Sequence, residues 1–431
     1  MVDVRIVRTV NDRMSRRLLL AFLHVLLSIA PAALHAQPVI GPEVVSTPML
    51  RGIPAIASSA PAVAIARDRD GVAIAWSMLN AEGRSRIEVA RLDGGGHVAG
   101  AVHELPGLAV APEGGAYFPS LAAAADGDGF LVAWMHIAPD GAAPTGIAVH
   151  ARLDRDLHES ASRVDRIVVD APLVATGGGK SWLVTGDLLW PVATDGTLGN
   201  PIATYLAAAG MTVTGGVPQL IGGHSVRGDF VCDARPPCPP PQPRFWVCSE
   251  ECRIYSYTFD LQFLALYAAS GRQSYAVTND AMPAIGGDGR EVFVAWLQGT
   301  PASGGDVVLA RLTPQQFAGF GDALQAPRVI ARWSPDSGPT RPAIASDGTH
   351  TVIVWRNRNL AGDHDIVGAV VDAAGSVTPL DVAMSAADER DPSIVANGDG
   401  SFLVAYETIA AGEHRLAGRL ITFAAHRRAV R

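Results

Sequence analysis

A dense polar cluster, Asp363-His364-Asp365, lies between two apolar runs in the C-terminal part of the chain. Neighbouring carboxylate and imidazole groups can hold a metal ion or hydrogen-bond the hydroxyl groups of a sugar. A solvated loop can have the same composition, and Asp365 also belongs to the repeat described below. Asp363 and His364 are therefore candidate ligand-binding residues, with a plain polar loop as the alternative.

Two charged residues, Arg341 and Asp391, stand directly before prolines that each open an apolar run. In the architecture predicted below, both positions lie at the mouth of a central channel. There they could hold a ligand, form a structural ion pair or be solvated. Trp246, from a Pro-rich insert, completes the set of candidate ligand-binding residues. No residue is predicted to be catalytic or to ligate a metal.

All four cysteines, Cys232, Cys238, Cys248 and Cys252, fall in that insert. In an exported protein, clustered cysteines are typical of disulfides that staple a loop. Of the three possible pairings, the positions favour 232–248 with 238–252. The alternative is a zinc site with four thiolate ligands. The spacing of five, nine and three intervening residues lacks the paired two-residue spacing of common zinc modules.

Acidic turns offer oxygen atoms two residues apart, which suit calcium. They lie at 68–71, 126–129 and 397–400. Each lacks the longer run of ligands of an EF-type loop, and Asp or Asn before Gly is also what a tight hairpin needs. We expect turn chemistry and no cofactor, with calcium as the alternative. A phosphate-binding loop at 177–181 is rejected because its first glycine is missing and a strand follows it.

A repeated sequence pattern must position the candidate residues named above. Each copy has a short apolar run, a Gly/Asp/Asn turn, and a second apolar run that ends in an aromatic residue. The best copies span 61–76, 119–134, 283–296, 342–355 and 392–406. The pattern is typical of a β-hairpin. Prolines at 61, 119, 172, 218, 283, 342 and 392 mark seven units, each with further strand-like runs. Four strands per unit at this period predict an all-β, seven-bladed β-propeller of antiparallel blades; a stack of β-sandwiches is the alternative.

The N-terminal run at 39–45 is strand-like but has no unit of its own, and the seventh unit lacks a convincing fourth strand. We expect the two to pair and close the ring, because an open array would leave sheet edges exposed. Residues 37–431 would then form a single domain. The Asp–Gly turns would share one rim, and the connections of variable length would form the other, here called the variable rim, where we expect ligands to bind.

The repeats resemble those of uncharacterised exported bacterial proteins. Their blades read roughly P-x-[IV]-A-x-[DN]-G-x-x-[FY]-L-V-x-W and then I-x-x-x-R-[VL]-D-x-x-G. The residues that carry the resemblance are Pro342, Ala345, Asp347, Gly348, Val354, Trp355, Asp365, Ile366, Asp372 and Gly375. It covers nearly all of 61–420, more weakly across 172–262. The resemblance implies a propeller fold and no particular reaction.

Residues 1–36 have the pattern of a secretory signal peptide. Three arginines, Arg13, Arg16 and Arg17, precede an apolar run at 18–30, and small residues follow up to Ala36, where we place the cut. The run is shorter than the ~20 residues that span a bilayer, which disfavours an uncleaved anchor. We expect a secreted or periplasmic monomer with no membrane span after cleavage.

Composition and charge exclude some classes of function. The chain is 48% hydrophobic and 18% charged, with 45 Gly and 30 Pro, which argues for many short strands and against disorder. The leader carries five arginines and two aspartates, so its removal would take the net charge from -8 to near -11. An acidic surface repels nucleic acid and anionic membranes.

Two main hypotheses for function remain, beside a purely structural role in the envelope. The first is a secreted scaffold that binds an extracellular or envelope protein or glycan through the variable rim, without catalysis. The lack of GxSxG and HExxH motifs favours it. The second is a hydrolase or lyase that acts on polysaccharide with acidic and His residues at the channel mouth. Convergent carboxylates there would favour the second.

Overall fold

Strands and turns make up all the regular structure of the described residues, none of which forms a helix. The computed structural model describes residues 37–48, 63–79, 84–105, 114–137, 146–168, 171–186, 188–203, 207–231, 245–248, 253–268, 271–276, 283–300, 302–312, 327–335, 337 and 341–423. Within these ranges there is accordingly no helix long and apolar enough to cross a membrane. Contacts group Ile40–Thr422 into one unit, and Met1–Val39 with Phe423–Arg431 into another. All pairings given below lie in the first unit.

Thirty strands are formed by the described residues. In chain order they are β1 (Pro38–Ile40), β2 (Val44–Pro48), β3 (Val63–Arg67), β4 (Val72–Leu79), β5 (Ser85–Leu92), β6 (Val98–Glu104), β7 (Gly115–Ala123), β8 (Phe130–Ile137), β9 (Gly146–Leu153), β10 (Glu159–Val168), β11 (Leu173–Gly177), β12 (Lys180–Thr185), β13 (Leu188–Val192), β14 (Ile202–Ala203), β15 (Ala207–Thr214), β16 (Val217–Val231), β17 (Phe245–Cys248), β18 (Arg253–Ala268), β19 (Gly271–Ala276), β20 (Pro283–Gly287), β21 (Val292–Thr300), β22 (Gly304–Leu312), β23 (Arg328–Trp333), β24 (Ala343–Ser346), β25 (His350–Arg358), β26 (His364–Asp372), β27 (Val377–Ala383), β28 (Asp388–Ala396), β29 (Phe402–Ala410) and β30 (Glu413–Phe423).

The described strands pair into seven antiparallel sheets. Sheet one contains β3 to β6, sheet two β7 to β10, sheet three β11 to β14, sheet five β20 to β23 and sheet six β24 to β27, each in chain order. Sheet four contains β15, β16, β18 and β17, with β19 also paired to β18. Sheet seven contains β28, β29 and β30, with β2 paired to β30. The prediction of an all-β chain with several four-stranded antiparallel sheets is confirmed.

The short turn between the first two strands of a sheet is closed by its own aspartate. In sheet six, Oδ1 of Asp347 accepts hydrogen bonds from the backbone N–H groups of Thr349 and His350, both at 2.7 Å. Between them Gly348 has a φ of +85°, a conformation that glycine adopts without strain. The Asp–Gly pair is therefore the local cause of the hairpin.

The recurrent aromatic residue of the second strand packs against the preceding sheet. Trp134 of sheet two lies in one apolar cluster with Ala73 and Val89 of sheet one. Trp355 of sheet six lies with Phe293 of sheet five in another. Each of these tryptophans is 2% exposed, so the recurrent aromatic position joins neighbouring sheets.

The first strands of the sheets contact one another in order. The contacts are β3 with β7, β7 with β11, β11 with β15, β15 with β20, β20 with β24, β24 with β28, and β28 with β3. The last of these brings sheet seven against sheet one. Each first strand thus contacts the first strands of two other sheets.

The fourth strand of sheet seven comes from the N-terminal part of the chain. Val44 of β2 pairs with Gly418 of β30, which on its other side pairs with Ala405 of β29. Just before β2, the N–H of Gly41 donates to the carbonyl oxygen of Leu420 at 2.8 Å. Residues 41–48 therefore supply the fourth strand that the seventh repeat itself lacks.

Sheet four begins earlier than the proline spacing predicts. The spacing predicts a start near Pro218, but the first strand is β15, and Pro218 lies in the second strand, β16. A Gly215–Gly216 turn joins them, with φ of +59° and +79°. Because β15 lacks the opening proline of the other copies, the repeat does not reveal it.

The cysteine-bearing insert extends sheet four through the long strands β16 and β18. Their pairing continues past a shift between Gly223 and His224, and β17 pairs with the outer half of β18. Cys248 and Trp246 lie in β17, where only the backbone is described. Cys232, Cys238 and Cys252 lie outside the described residues, so the two disulfides stay a prediction.

Candidate functional site

Charged side chains gather at the ends of sheets six and seven, opposite the Asp–Gly turns. Three segments meet there: the β25–β26 connection, the start of β28 and the β29–β30 turn. The start of β28 and the β29–β30 turn are at one end because Asp388 pairs with Ile409. The sequence predicts this end as the variable rim.

The β25–β26 connection is a turn built on Asn359. Its Oδ1 accepts hydrogen bonds from the backbone N–H groups of Ala361 and Asp363, at 3.0 and 3.1 Å. Its Nδ2 donates to Oδ1 of Asp365 at 3.0 Å. Asparagine commonly closes turns in this way. The turn fixes the backbone of Asp363 and presents His364 at the start of β26.

Asp388 connects sheet seven to this turn. Its Oδ1 accepts a hydrogen bond from Nδ1 of His364 at 2.7 Å, and its Oδ2 accepts one from the guanidinium of Arg390. Burial acts to raise the pKa of Asp388, but these two donors outweigh it and hold the pKa below its ordinary value. The carboxylate is therefore ionised and ties the two sheets together.

Asp391 occupies a strained backbone position. Its φ is +49°, in the left-handed region that residues other than glycine seldom adopt, and the β28–β29 pairing shifts between Arg390 and Ser393. Burial raises the pKa of Asp391, against the attraction of Arg356 and Arg390. In the described part of the chain no group hydrogen-bonds or ion-pairs with its carboxylate.

Glu407 and His414 form a second carboxylate–imidazole pair, beside the β29–β30 turn. Nδ1 of His414 donates to Oε1 of Glu407, which is 3% exposed. Burial raises the pKa of Glu407; the contact with His414 lowers it, and the charge of Asp391 raises it further. This carboxyl is therefore easier to protonate than an exposed glutamate.

Arg356 of sheet six is attracted electrostatically by these carboxylates. Its Nε donates to the carbonyl oxygen of Ser337 at 2.7 Å. Burial lowers the pKa of Arg356, against the attraction of Asp391, Asp388 and Glu407. We call the following seven side chains the rim cluster: Arg356, His364, Asp388, Arg390, Asp391, Glu407 and His414.

A fully buried carboxyl, that of Glu389, lies next to the rim cluster in β28. Its Oε1 accepts a hydrogen bond from the Ser385 hydroxyl, and its Oε2 has no partner among the described residues. Burial raises its pKa to about 7, and the charges of Asp365 and Glu43 add to this effect. Glu389 therefore holds a proton well above the pH at which an exposed glutamate loses it.

The structure brings some of the predicted site residues together and not others. His364 and Asp391 belong to the rim cluster, and Asp363 lies in the turn beside it. Arg341 precedes β24 and is half-buried, and no described residue hydrogen-bonds or ion-pairs with it. Burial lowers the pKa of Arg341 to about 10. The side chain of Trp246 is not described, so its role stays a prediction.

The same backbone positions are apolar in sheet two. Phe118 also precedes a proline, has a φ of +56° and lies at the same shift in strand pairing as Asp391. It packs with Met135, which aligns with Glu407, in an apolar cluster. Burying charges costs free energy. Because apolar side chains fill these positions in sheet two, the architecture does not itself require the charges.

Sequence reasoning missed Arg356 and Glu407, although the repeat contains a signal for them. Each directly follows the recurrent aromatic residue. The other copies have Ser77, Met135 and Leu297 at this point, all 1–2% exposed. Arg356 and Glu407 are recognisable because each is charged at a repeat position where these other copies have an uncharged, buried residue.

The acidic turns considered for calcium use their carboxylates internally. Oδ1 of Asp68 accepts hydrogen bonds from the backbone N–H groups of Asp70 and Gly71, both at 2.9 Å. Arg91 pairs with both oxygens of Asp68 at 2.8 Å. Within the described ranges no group of three or more His, Cys, Asp and Glu side chains is placed to hold a metal ion.

Comparison with known proteins gives structural likeness without a family. No family model and no curated protein matches the chain. A protein of unknown function from Dyadobacter fermentans matches with 11% identity over 90% of this chain and 99% of its own, at a TM-score of 0.46. The hemagglutinin-neuraminidase ectodomain of parainfluenza virus 5 matches with 9% identity over 98% and 99%, at 0.42. A Trypanosoma rangeli sialidase in complex with sialic acid matches with 7% identity over 84% and 54%, at 0.42. These matches assign neither a family nor an activity to this chain.

Proposed function

We propose that Ile40–Thr422 forms a closed seven-bladed β-propeller with one blade per sheet. The ordered contacts of the first strands, ending with β28 against β3, support this arrangement. The pairing of β2 with β30 supports closure by the N-terminal strand. Closure of this kind would join the two ends of the array and leave neither open to aggregation.

We also propose that the protein is exported through the leader at 1–36 and works in the periplasm or outside the cell. The leader pattern and the resemblance to exported repeat proteins support this. The four clustered cysteines suit an oxidising compartment, where disulfides persist. We propose further that it acts there as a monomer.

We infer that the rim cluster binds a glycan without catalysis. One observation carries this inference. Sheet seven has the charged residues Asp391 and Glu407 at the backbone positions where sheet two has the apolar residues Phe118 and Met135. Carboxylate, guanidinium and imidazole groups side by side supply acceptors and donors that match neighbouring hydroxyl groups of a sugar. The carboxylate of Asp391, which accepts no hydrogen bond from a described residue, is the first such acceptor.

Exposed apolar side chains beside the rim cluster suit the apolar faces of a sugar ring. Leu360 is fully exposed at the tip of the Asn359 turn, and Met384 is 55% exposed just before the start of β28. A ligand that is polar at its hydroxyl groups and apolar on its C–H faces would contact both kinds of group. A glycan has this character, whereas a uniformly charged ligand does not.

Binding of the mature chain to a panel of neutral and acidic polysaccharides, measured by affinity electrophoresis, tests the inference. Asp391→Asn and Glu407→Gln keep the shape of each side chain and should weaken binding about tenfold or more. Asp391 would lose a charged acceptor, and the buried Glu407 would lose the charge that holds His414 in place; a hydrogen bond to a charged group contributes about 1.5–3 kcal/mol. Asp399→Asn, in an Asp–Gly turn at the opposite end of sheet seven, is the matched control and should leave binding unchanged. If both rim variants bound the polysaccharide as tightly as the wild type, the rim cluster would not be the glycan-binding site.

A hydrolase that acts on polysaccharide is the second candidate, favoured by the two carboxylate–imidazole pairs. The raised pKa of Glu407 suits a general acid, which must hold a proton near working pH. Release of reducing ends from a bound polysaccharide, lost in Glu407→Gln and kept in Asp399→Asn, would establish catalysis. Binding without any release would leave the scaffold function.

A further inference from the structure

Two imidazoles from neighbouring sheets meet away from the rim cluster. His103 lies in β6 of sheet one, and His158 in the β9–β10 turn of sheet two. Their ring centroids are 5.0 Å apart and their planes are at 85°. The side chain of His158 is 67% exposed, and no described residue hydrogen-bonds with the ring of His103. Ring nitrogens of both residues are therefore open to a ligand.

The turn that carries His158 is held rigidly against sheet one. Oδ1 of Asp154 accepts a hydrogen bond from the backbone N–H of His158 at 2.9 Å. Leu157, with a φ of +65°, is 2% exposed and packs into the core that sheets one and two share. Nη2 of Arg91 in sheet one donates to the carbonyl oxygen of Arg155 at 2.8 Å. The position of His158 relative to His103 is thus set before any ligand arrives.

We propose that His103 and His158 share one transition-metal ion, such as Cu²⁺ or Zn²⁺, with water in its remaining positions. Imidazole is a ligand that suits both ions. Two imidazoles bound to one tetrahedral ion at about 2.0–2.1 Å have ring centres about 5 Å apart. The two rings here have centroids 5.0 Å apart, so β6 and the β9–β10 turn already hold them at the separation that a shared ion requires.

A carboxylate next to one of the two imidazoles supports the assignment. Oδ2 of Asp154 is 3.7 Å from Nδ1 of His158. A carboxylate beside one ring nitrogen orients a metal-binding histidine and leaves the other nitrogen, Nε2, for the ion. With two protein ligands the site holds its ion less tightly than a closed site with four. It joins sheet one to sheet two across their outer surface.

The test is calorimetric titration of the mature chain, with its cysteines oxidised, using CuCl₂ and ZnCl₂ in separate runs. His103→Ala and His158→Ala should each bind one equivalent fewer than the wild type. His97→Ala is the matched control, because His97 lies in the corresponding turn of sheet one with Nδ1 3.3 Å from Asp93 but with no second imidazole in ring contact among the described residues. It should keep the wild-type stoichiometry.

Electron paramagnetic resonance of the Cu²⁺ complex gives an independent readout. The wild type should show coupling to two imidazole nitrogens, and each single variant should lose that signal. Equal stoichiometry in the wild type, His103→Ala and His158→Ala would overturn the proposal, as would an equal loss in His97→Ala. Should His103→Ala fold poorly, His103→Asn, which keeps a polar side chain of similar size, decides the matter with the same readouts.

Discussion

The buried carboxyl of Glu389 makes the stability of the fold depend on pH. Its pKa is raised to about 7 from an ordinary value of 4.5, chiefly by burial. Between these values the folded protein holds a proton that the unfolded chain has released. This proton therefore contributes fully to the free energy of unfolding below about pH 4.5, and its contribution is lost as the pH rises toward 7.

Glu389→Gln should remove this pH dependence. Relative to the variant, the wild type should lose on the order of 3 kcal/mol of unfolding free energy between pH 4.5 and 7, since each pKa unit corresponds to about 1.4 kcal/mol. Denaturant unfolding of both proteins at several pH values measures the difference. Parallel profiles would show that the Glu389 carboxyl is not protonated in the folded state.

Asp399 provides a control of opposite sign. Its hydrogen bonds with Ser401 lower its pKa, so its contribution is present above the ordinary pKa and lost as the pH falls. Asp399→Asn should therefore diverge from the wild type on the acid side, while Glu389→Gln diverges toward neutral pH. Divergence of both variants in the same direction would contradict the assignment of the two carboxyls.

The Asp–Gly turns share a backbone conformation but differ in what surrounds them. Gly129 has a φ of +92°, and a Cβ atom there would lie 2.3 Å from the carbonyl oxygen of Leu153. Gly400 has a φ of +85° and open space around it. Of these two turns, only the one at Gly129 is enclosed, because the connection between β9 and β10 of the same sheet packs against it.

Gly129→Ala should therefore destabilise the protein more than Gly400→Ala. At Gly400 the cost is that of a positive φ, about 1 kcal/mol, whereas at Gly129 a clash with the backbone adds about 1–3 kcal/mol. Chemical denaturation of the two variants gives the comparison. Equal costs would mean that the β9–β10 turn does not approach Gly129 as described.

Contacts around Tyr406 join parts of the chain that are far apart in sequence. The Tyr406 hydroxyl donates to Oε2 of Glu43 at 2.9 Å, and Nη2 of Arg419 donates to the same oxygen at 3.1 Å. Nη1 of Arg419 donates to the carbonyl oxygen of Gly41 at 3.2 Å. Burial and the charge of Glu43 raise the pKa of Tyr406, so its hydroxyl remains a donor. These bonds hold residues 41–48 against sheet seven.

Removal of residues 37–48 from the mature chain should lower the melting temperature of the whole protein in one cooperative transition. In the proposed closed ring, loss of this strand leaves the edge of sheet seven unpaired. It also weakens the packing of sheet seven against sheet one. Differential scanning calorimetry of the truncated and mature chains measures the effect. An unchanged transition would contradict closure by the N-terminal strand.

A milder test of the same idea is Glu43→Gln, which leaves the strand in place. It should lower the melting temperature, because a partly buried hydrogen-bonded charge is lost. Glu413→Gln removes an exposed ion pair with Arg415 and is the matched control, since such pairs contribute little to stability. Equal effects of the two substitutions would remove the special role of Glu43.

Apolar alternation and the Asp–Gly turns are enough to predict the all-β class, the hairpins and the positions of most strands. They succeed because each signal acts between residues close in sequence, as in the hairpin closed by Asp347. Where a strand lacks those signals, as β15 does, the sequence does not predict it. These signals also identify only part of the rim cluster. His364 lies in a dense polar motif and Asp391 directly precedes a repeat proline, whereas Arg356 and Glu407 are recognised only when the residues that follow the recurrent aromatic position are compared between copies.

The tertiary structure decides which charged groups meet, since ion pairs and pKa shifts depend on distance in space and on burial. Asp388 and His364 are 24 positions apart, and Tyr406 and Glu43 are 363 apart, so no local pattern predicts either contact. The same holds for His103 and His158, which belong to different sheets. Composition and repeats are read along the chain, but the free energy of a buried charge depends on every group packed around it.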